Sequence, residues 1–142
     1  MKEFFFISGL PRSGSTLLSA ILRQNPEFYA DISSPVQGLV ASTINVITNS
    51  ESNHLIDEDR RKQILKDVFE AYYKAVMPST VFDTSRGWTA KTSLLKTLYP
   101  QTKIVCCVRD LPWILDSFER ISAKNGLWNA SLTDDEASQT VT

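Results

Sequence analysis

Phe4, Phe5, Phe6 and Ile7 form an unbroken apolar block near the start of the chain, and Gly9 ends it. Consecutive bulky β-formers without polar alternation predict a strand buried on both faces, as in a parallel sheet. After Gly14 the period changes: Leu17, Leu18, Ile21 and Leu22 recur at helical spacing, and Asn25-Pro26 closes the run. Residues 28–32 read as a short extended piece. Ser33, Ser34 and Pro35 then mark a helix start with proline in the first turn. That helix runs over residues 37–47, with Leu39, Val40, Thr43, Ile44 and Ile47 on one side. A polar loop at 49–53 leads to His54, the only histidine, which is read as exposed and idle. Asp57 is expected to cap a longer helix from Glu58 to about Met77, where Pro78 stops it. Its stripe is Ile64, Leu65, Val68, Phe69, Tyr72, Tyr73 and Val76, and Arg60, Arg61 and Lys62 fall on a solvated face.

A second strand is predicted at 81–84, breaking at 85–88, and Thr89 is expected to cap a short helix to Tyr99. A third strand, 103–108, ends at Arg109 and Asp110. The following helix has Pro112 in its first turn and Ile114, Leu115, Phe118 and Ile121 facing inward. Strands alternating with helices give an α/β fold, a mainly parallel sheet of at least three strands with helices on both faces. Ligands in such a sheet collect at the carboxyl ends of the strands.

Composition narrows the classes. A chain of 142 residues with 42% hydrophobic residues makes one domain, residues 1–142. A net charge of −1 gives no electrostatic case for nucleic acid or an anionic membrane. Lys2 and Glu3 lead directly into a strand rather than a signal peptide, and no apolar run approaches spanning length, so a cytoplasmic location is expected. Cys106 and Cys107 are neighbours on a strand and point to opposite faces, which suits two buried thiols better than a disulfide. The acceptor pattern at 129–131 is read as chance in the absence of a secretory signal.

The candidate chemistry lies between strand and first helix. Gly9-x4-Gly14 has the spacing of a phosphate-binding loop, with backbone N–H groups at the helix start facing an anion. A nucleoside triphosphatase would carry lysine next, to reach the β- and γ-phosphates. Here Ser15 and Thr16 follow, and Arg12 is the cation within the loop. A magnesium–ATP site is therefore disfavoured, and no His/Cys cluster suggests a metal. Arg109 at a strand end and Ser117 in the next helix form a second anion-binding pair, so two separated phosphate-like groups are expected on the ligand.

These segments together resemble the sulfotransferases that use 3′-phosphoadenosine 5′-phosphosulfate (PAPS). Gly9-Leu-Pro-Arg-Ser-Gly-Ser-Thr-Leu-Leu18 is similar to their 5′-phosphosulfate loop, in the form found in tyrosylprotein sulfotransferases and many bacterial members. Tyr99-Pro-x2-Lys103 and Val108-Arg-Asp110, with Ser117, resemble their 3′-phosphate segment. Phe82-Asp-Thr-Ser-Arg-Gly-Trp88 resembles a bacterial subgroup. The resemblance implies a P-loop-like three-layer α/β/α fold and sulfuryl transfer from PAPS to a hydroxyl or amine of a small-molecule or peptide acceptor. Pro11, Arg12, Ser13, Gly14, Ser15, Thr16, Arg109 and Ser117 would bind the co-substrate, and Arg12 would also stabilise the leaving group. Arg86 would neutralise sulfuryl oxygens, with Asp83 as the preferred base and Asp31 as the second. Trp88 would stack on adenine, line the acceptor pocket or pack in the core.

Two departures stand out. Ser33 falls in the region where the tyrosylprotein enzymes carry a catalytic glutamate, and Asp31 is two residues away. Relatives also continue past this length with further strands and a basic segment over the co-substrate, so a C-terminally truncated, self-associating domain is expected. The rival readings are a nucleotide kinase or other P-loop NTPase, and a non-catalytic nucleotide-binding remnant.

Overall fold

The computed structural model describes residues 2–49 and 51–124. In chain order the elements are β1 (Glu3–Gly9), α1 (Ser15–Leu22), β2 (Phe28–Ala30), α2 (Val36–Asn49), a 3-10 helix (Glu51–Leu55), α3 (Glu58–Tyr72), β3 (Thr80–Thr84), a second 3-10 helix (Arg86–Lys91), α4 (Thr92–Leu98), β4 (Ile104–Cys107) and α5 (Leu111–Lys124). The four strands form one sheet in the order β2-β3-β1-β4, with every neighbouring pair parallel. This is an α/β fold of the P-loop-like kind. The described chain divides into two compact units, the second beginning at Arg109. Among the described residues the first unit carries every strand, and α5 belongs to the second.

Strand alternation sorts the apolar block of β1. Phe4 and Phe6 join Val81 on one face, where they pack with Val36 and Val40 of α2, Leu65 and Phe69 of α3, and Leu95 and Leu98 of α4. Aromatic rings fill this core: Trp88 meets Phe6 edge-on at 5.0 Å and stacks on Phe69 at 5.8 Å. Phe5 takes the opposite face, where it stacks on Phe82 at 5.4 Å, and Phe28 meets Phe82 at 5.2 Å. α1 lies on that side, tied down by a buried 3.2 Å hydrogen bond between Ser19 Oγ and Thr84 Oγ1.

Several elements differ from the sequence reading. The extended piece after α1 is a true strand: β2 pairs Phe28, Tyr29 and Ala30 with Thr80, Val81 and Phe82. The loop holding His54 is helical. Asp57 caps α3 as expected, accepting from Arg60 N at 2.7 Å, but the helix ends at Tyr72 rather than near Met77. Tyr73 is its C-cap, and Val76 N donates to Tyr73 O in the turn that follows. Burial of the Tyr73 ring redirects the chain before Pro78 is reached. Thr89 does not cap a helix; it lies inside the second 3-10 helix, and α4 starts at Thr92. Cys106 is exposed and Cys107 half-buried, because β4 is an end strand of the sheet among the described residues. In α5, Ile114 is buried but Leu115 is 60% exposed.

Candidate functional site

The loop between β1 and α1 holds three residues with left-handed backbone. Gly9 closes β1 at φ 137°, and a Cβ there would lie 2.4 Å from the Cys107 carbonyl oxygen, so only glycine fits. Arg12 has φ 66°, uncommon for a residue with a side chain. Gly14, at φ 110°, is the N-cap of α1 and supplies no side-chain cap. Between them Ser13 donates from both N and Oγ to Leu10 O, at 3.2 and 2.6 Å, and closes the turn. The first intrahelical bond of α1 is Leu18 N to Gly14 O, at 3.0 Å. The N–H groups of Ser15, Thr16 and Leu17 thus precede the helical ladder and are available to an anion. A Cβ on Gly14 would meet nothing within 4 Å, so the loop is open on that side. Arg12 and Thr16 are exposed, while Pro11, Ser13 and Ser15 are half-buried.

β3 lies next to β1, so its carboxyl end adjoins the loop. Ser85 N donates to Ile7 O at 3.0 Å. Ser8 Oγ donates to Arg86 O at 2.9 Å and accepts from Thr89 N at 3.3 Å. These bonds fasten the backbone around Arg86 to the last turnless residues of β1, and the Arg86 side chain is exposed there.

Asp83, expected as a general base, is fully buried. Its Oδ2 accepts from Ser34 Oγ at 2.7 Å and Tyr73 Oη at 2.5 Å, and its Oδ1 from Trp88 Nε1 at 2.6 Å. Burial pushes its carboxyl above the ordinary range, and the three hydrogen bonds, from Tyr73, Ser34 and Trp88, pull it part of the way back. The same enclosure raises the Tyr73 phenol, first through burial and then through the charge of Asp83. A base must reach the proton it removes, and this carboxyl reaches three donors of its own chain instead. Trp88 is likewise wholly buried, so its indole is a core ring rather than a platform for adenine.

Asp31 follows β2, at the same end of the sheet but two strands from β1, about 10 Å away at ordinary strand spacing. It is partly exposed, pairs with Arg23 at 2.6 Å and accepts from Tyr29 Oη at 3.2 Å. Arg109 opens the second unit, and Ser117 lies in the second turn of α5. Trp113 N and Ile114 N both donate to Asp110 O, which starts that helix. His54 is exposed. The structure therefore brings the Arg12 loop and Arg86 onto adjacent strand ends, sets Asp31 further along the edge, and encloses Asp83. Ser8, Ser34 and Tyr73 were not legible as site residues. Ser8 alone carried a signal, a hydroxyl at the end of an apolar strand next to the glycine.

A family model described as Sulfotransferase family matches residues 5–141. No curated protein matches the chain at a significant level.

Proposed function

The chain belongs to the sulfotransferase family, and we propose that it moves a sulfuryl group from PAPS to an acceptor hydroxyl or amine. The observation that carries this reading is the Gly9–Arg12–Gly14 loop, whose left-handed backbone opens α1 with uncapped N–H donors and sets an arginine beside them. The loop fits a phosphosulfate: Gly14 leaves its mouth open, and Ser15 replaces the lysine that a triphosphate would require.

In this reading the N–H groups of residues 13–16 and the Arg12 guanidinium bind the 5′-phosphosulfate and stabilise negative charge on the departing phosphate oxygen. Arg86, on the next strand end, neutralises sulfuryl oxygens during in-line transfer. Catalysis is then chiefly positioning and charge stabilisation, as in phosphoryl transfer. Arg109 and Ser117 hold the 3′-phosphate. The acceptor loses its proton to a carboxylate that solvent reaches; of the two candidates that is Asp31, since Asp83 is enclosed. Among the described residues no helix is long and apolar enough to cross a membrane, and a cytoplasmic reaction is part of this proposal.

Calorimetry with 3′-phosphoadenosine 5′-phosphate (PAP), ADP and magnesium–ATP tests the reading. Tighter binding of PAP than of ADP, with no gain from magnesium–ATP, is the expected result. Preference for magnesium–ATP would replace it with a nucleotide kinase or NTPase.

A further inference from the structure

Asp83 joins three separate segments at the carboxyl end of the sheet. Ser34 belongs to the turn before α2, Tyr73 to the end of α3, and Trp88 to the 3-10 helix that begins with Arg86. The three donors use both carboxyl oxygens; Asp83, Tyr73 and Trp88 are buried in the core, and Ser34 is half-buried at its margin. A buried carboxyl with this many partners is costly to disturb, because losing one leaves a polar group unpaired in apolar surroundings.

The Trp88 bond differs from the other two in what it holds. Residues 85–89 are also fastened by Ser85 N to Ile7 O and by the Ser8 hydroxyl, both on the β1 side, and the Trp88 ring packs against Phe6 and Phe69. Asp83 supplies the anchor on the β3 side. Arg86 lies between the two anchors with an exposed side chain, two residues from the indole that Asp83 grips. A segment pinned on both sides fixes the backbone from which Arg86 projects, on the strand end adjoining the Gly9–Gly14 loop. Without the Trp88 bond the backbone beneath Arg86 keeps its β1-side bonds and ring packing but loses its polar tie to β3, and a misplacement of about 1 Å costs heavily in transfer chemistry.

We infer that Asp83 is a positioning residue for sulfuryl transfer: through Trp88 it fixes residues 85–89 so that Arg86 faces the sulfuryl group held at the phosphate loop. The inference rests on the proposed function. It replaces a base at this position with a residue that acts through another, and it assigns the Tyr73 and Ser34 bonds to holding the fold.

The test compares the affinity of the full chain for PAPS and for PAP, which lacks the sulfuryl group. The ratio of the two is independent of the fraction of molecules that fold. Wild type should bind PAPS more tightly, by about tenfold for one charge-assisted contact. Arg86→Ala should bring the ratio near one, Trp88→Phe and Asp83→Leu, each of which removes one end of the bond, should do the same, and pairing either with Arg86→Ala should add nothing further. Tyr73→Phe, which removes a donor to the same carboxyl from a different segment, should lower the melting temperature and keep the wild-type ratio. If Asp83→Leu folds too poorly to measure, Trp88→Phe and Tyr73→Phe carry the comparison between them. A Trp88→Phe protein with the wild-type ratio overturns the inference, as does a Tyr73→Phe protein that loses it. A wild-type ratio of one overturns it too, and PAP binding more tightly than ADP in that same protein would leave the proposed function standing.

Discussion

Gly9 and Cys107 are ladder partners between β1 and β4, so close that a Cβ on Gly9 would lie 2.4 Å from the Cys107 carbonyl oxygen. The glycine also has φ 137°, a conformation that side chains resist. Gly9→Ala must therefore strain the backbone and push β4 away at the point where the phosphate loop begins. Strain and overpacking together should cost about 2–6 kcal/mol. Urea denaturation measures it. Gly14→Ala, which meets open space but shares the positive φ, should cost about 1–3 kcal/mol, the strain alone.

Asp83 makes stability depend on pH in a direction opposite to that of most paired carboxylates. Burial raises its folded-state value above the unfolded one, so the folded protein holds the proton more tightly. The stability it contributes is greatest in acid, below the ordinary carboxylate range, and is lost as pH rises through the raised value. An amide does not titrate, so Asp83→Asn lacks this pH dependence. The stability difference between wild type and Asp83→Asn should thus shrink as pH rises through that window and level off above it. Denaturation curves at several pH values read this directly. A difference that widens with pH would mean the donors Tyr73, Ser34 and Trp88 outweigh burial.

The parallel sheet and the Gly9–Gly14 turn into α1 are legible in the sequence because both rest on local pattern: an apolar run, a glycine pair and a switch to helical period. Asp83 and Trp88 were harder. Their segment looks like chemistry in one dimension, since acid, arginine and tryptophan follow a strand end. Strand alternation sends Asp83 inward, yet whether inward means a pocket or a core depends on Tyr73 and Ser34, ten and forty-nine residues away in sequence. The end of α3 departs from the apolar periodicity for the same reason. Tyr73 continues the helical apolar stripe, but its hydroxyl is held by Asp83 and the helix stops before it. Cys106 and Cys107 read as buried because an apolar strand suggests a central one, whereas β4 stands at the end of the described sheet.

Selectivity for a 3′-phosphorylated nucleotide should rest on Arg109. Removing a charged hydrogen bond in Arg109→Ala should weaken PAP by about 1.5–3 kcal/mol and leave ADP unchanged. Calorimetry with both ligands separates this from general damage, which would weaken both alike. Ser117→Ala should act on the same ligand with a smaller loss, about 0.5–1.5 kcal/mol, because its hydroxyl carries no charge.

Arg12 sits where a glycine would be more comfortable. Its φ of 66° is left-handed, at a cost of about 1–2 kcal/mol for a residue with a Cβ. Arg12→Gly releases that strain and adds about 0.5–1 kcal/mol of unfolded-chain entropy, so stability should hold or rise slightly. Arg12→Ala keeps the strain and should be the less stable of the two. Both lose the guanidinium beside the loop N–H groups, and both should lose roughly 10²–10³ in kcat, the scale of removing one oxyanion donor. Thermal melting of the two variants, with PAP release from PAPS as the rate measurement, checks both halves. Equal melting temperatures would show that the backbone of Arg12 stores no strain. A rise in KM with kcat unchanged would confine its side chain to binding. A pair that separates in stability yet falls together in kcat would show that this position keeps a strained arginine for its charge.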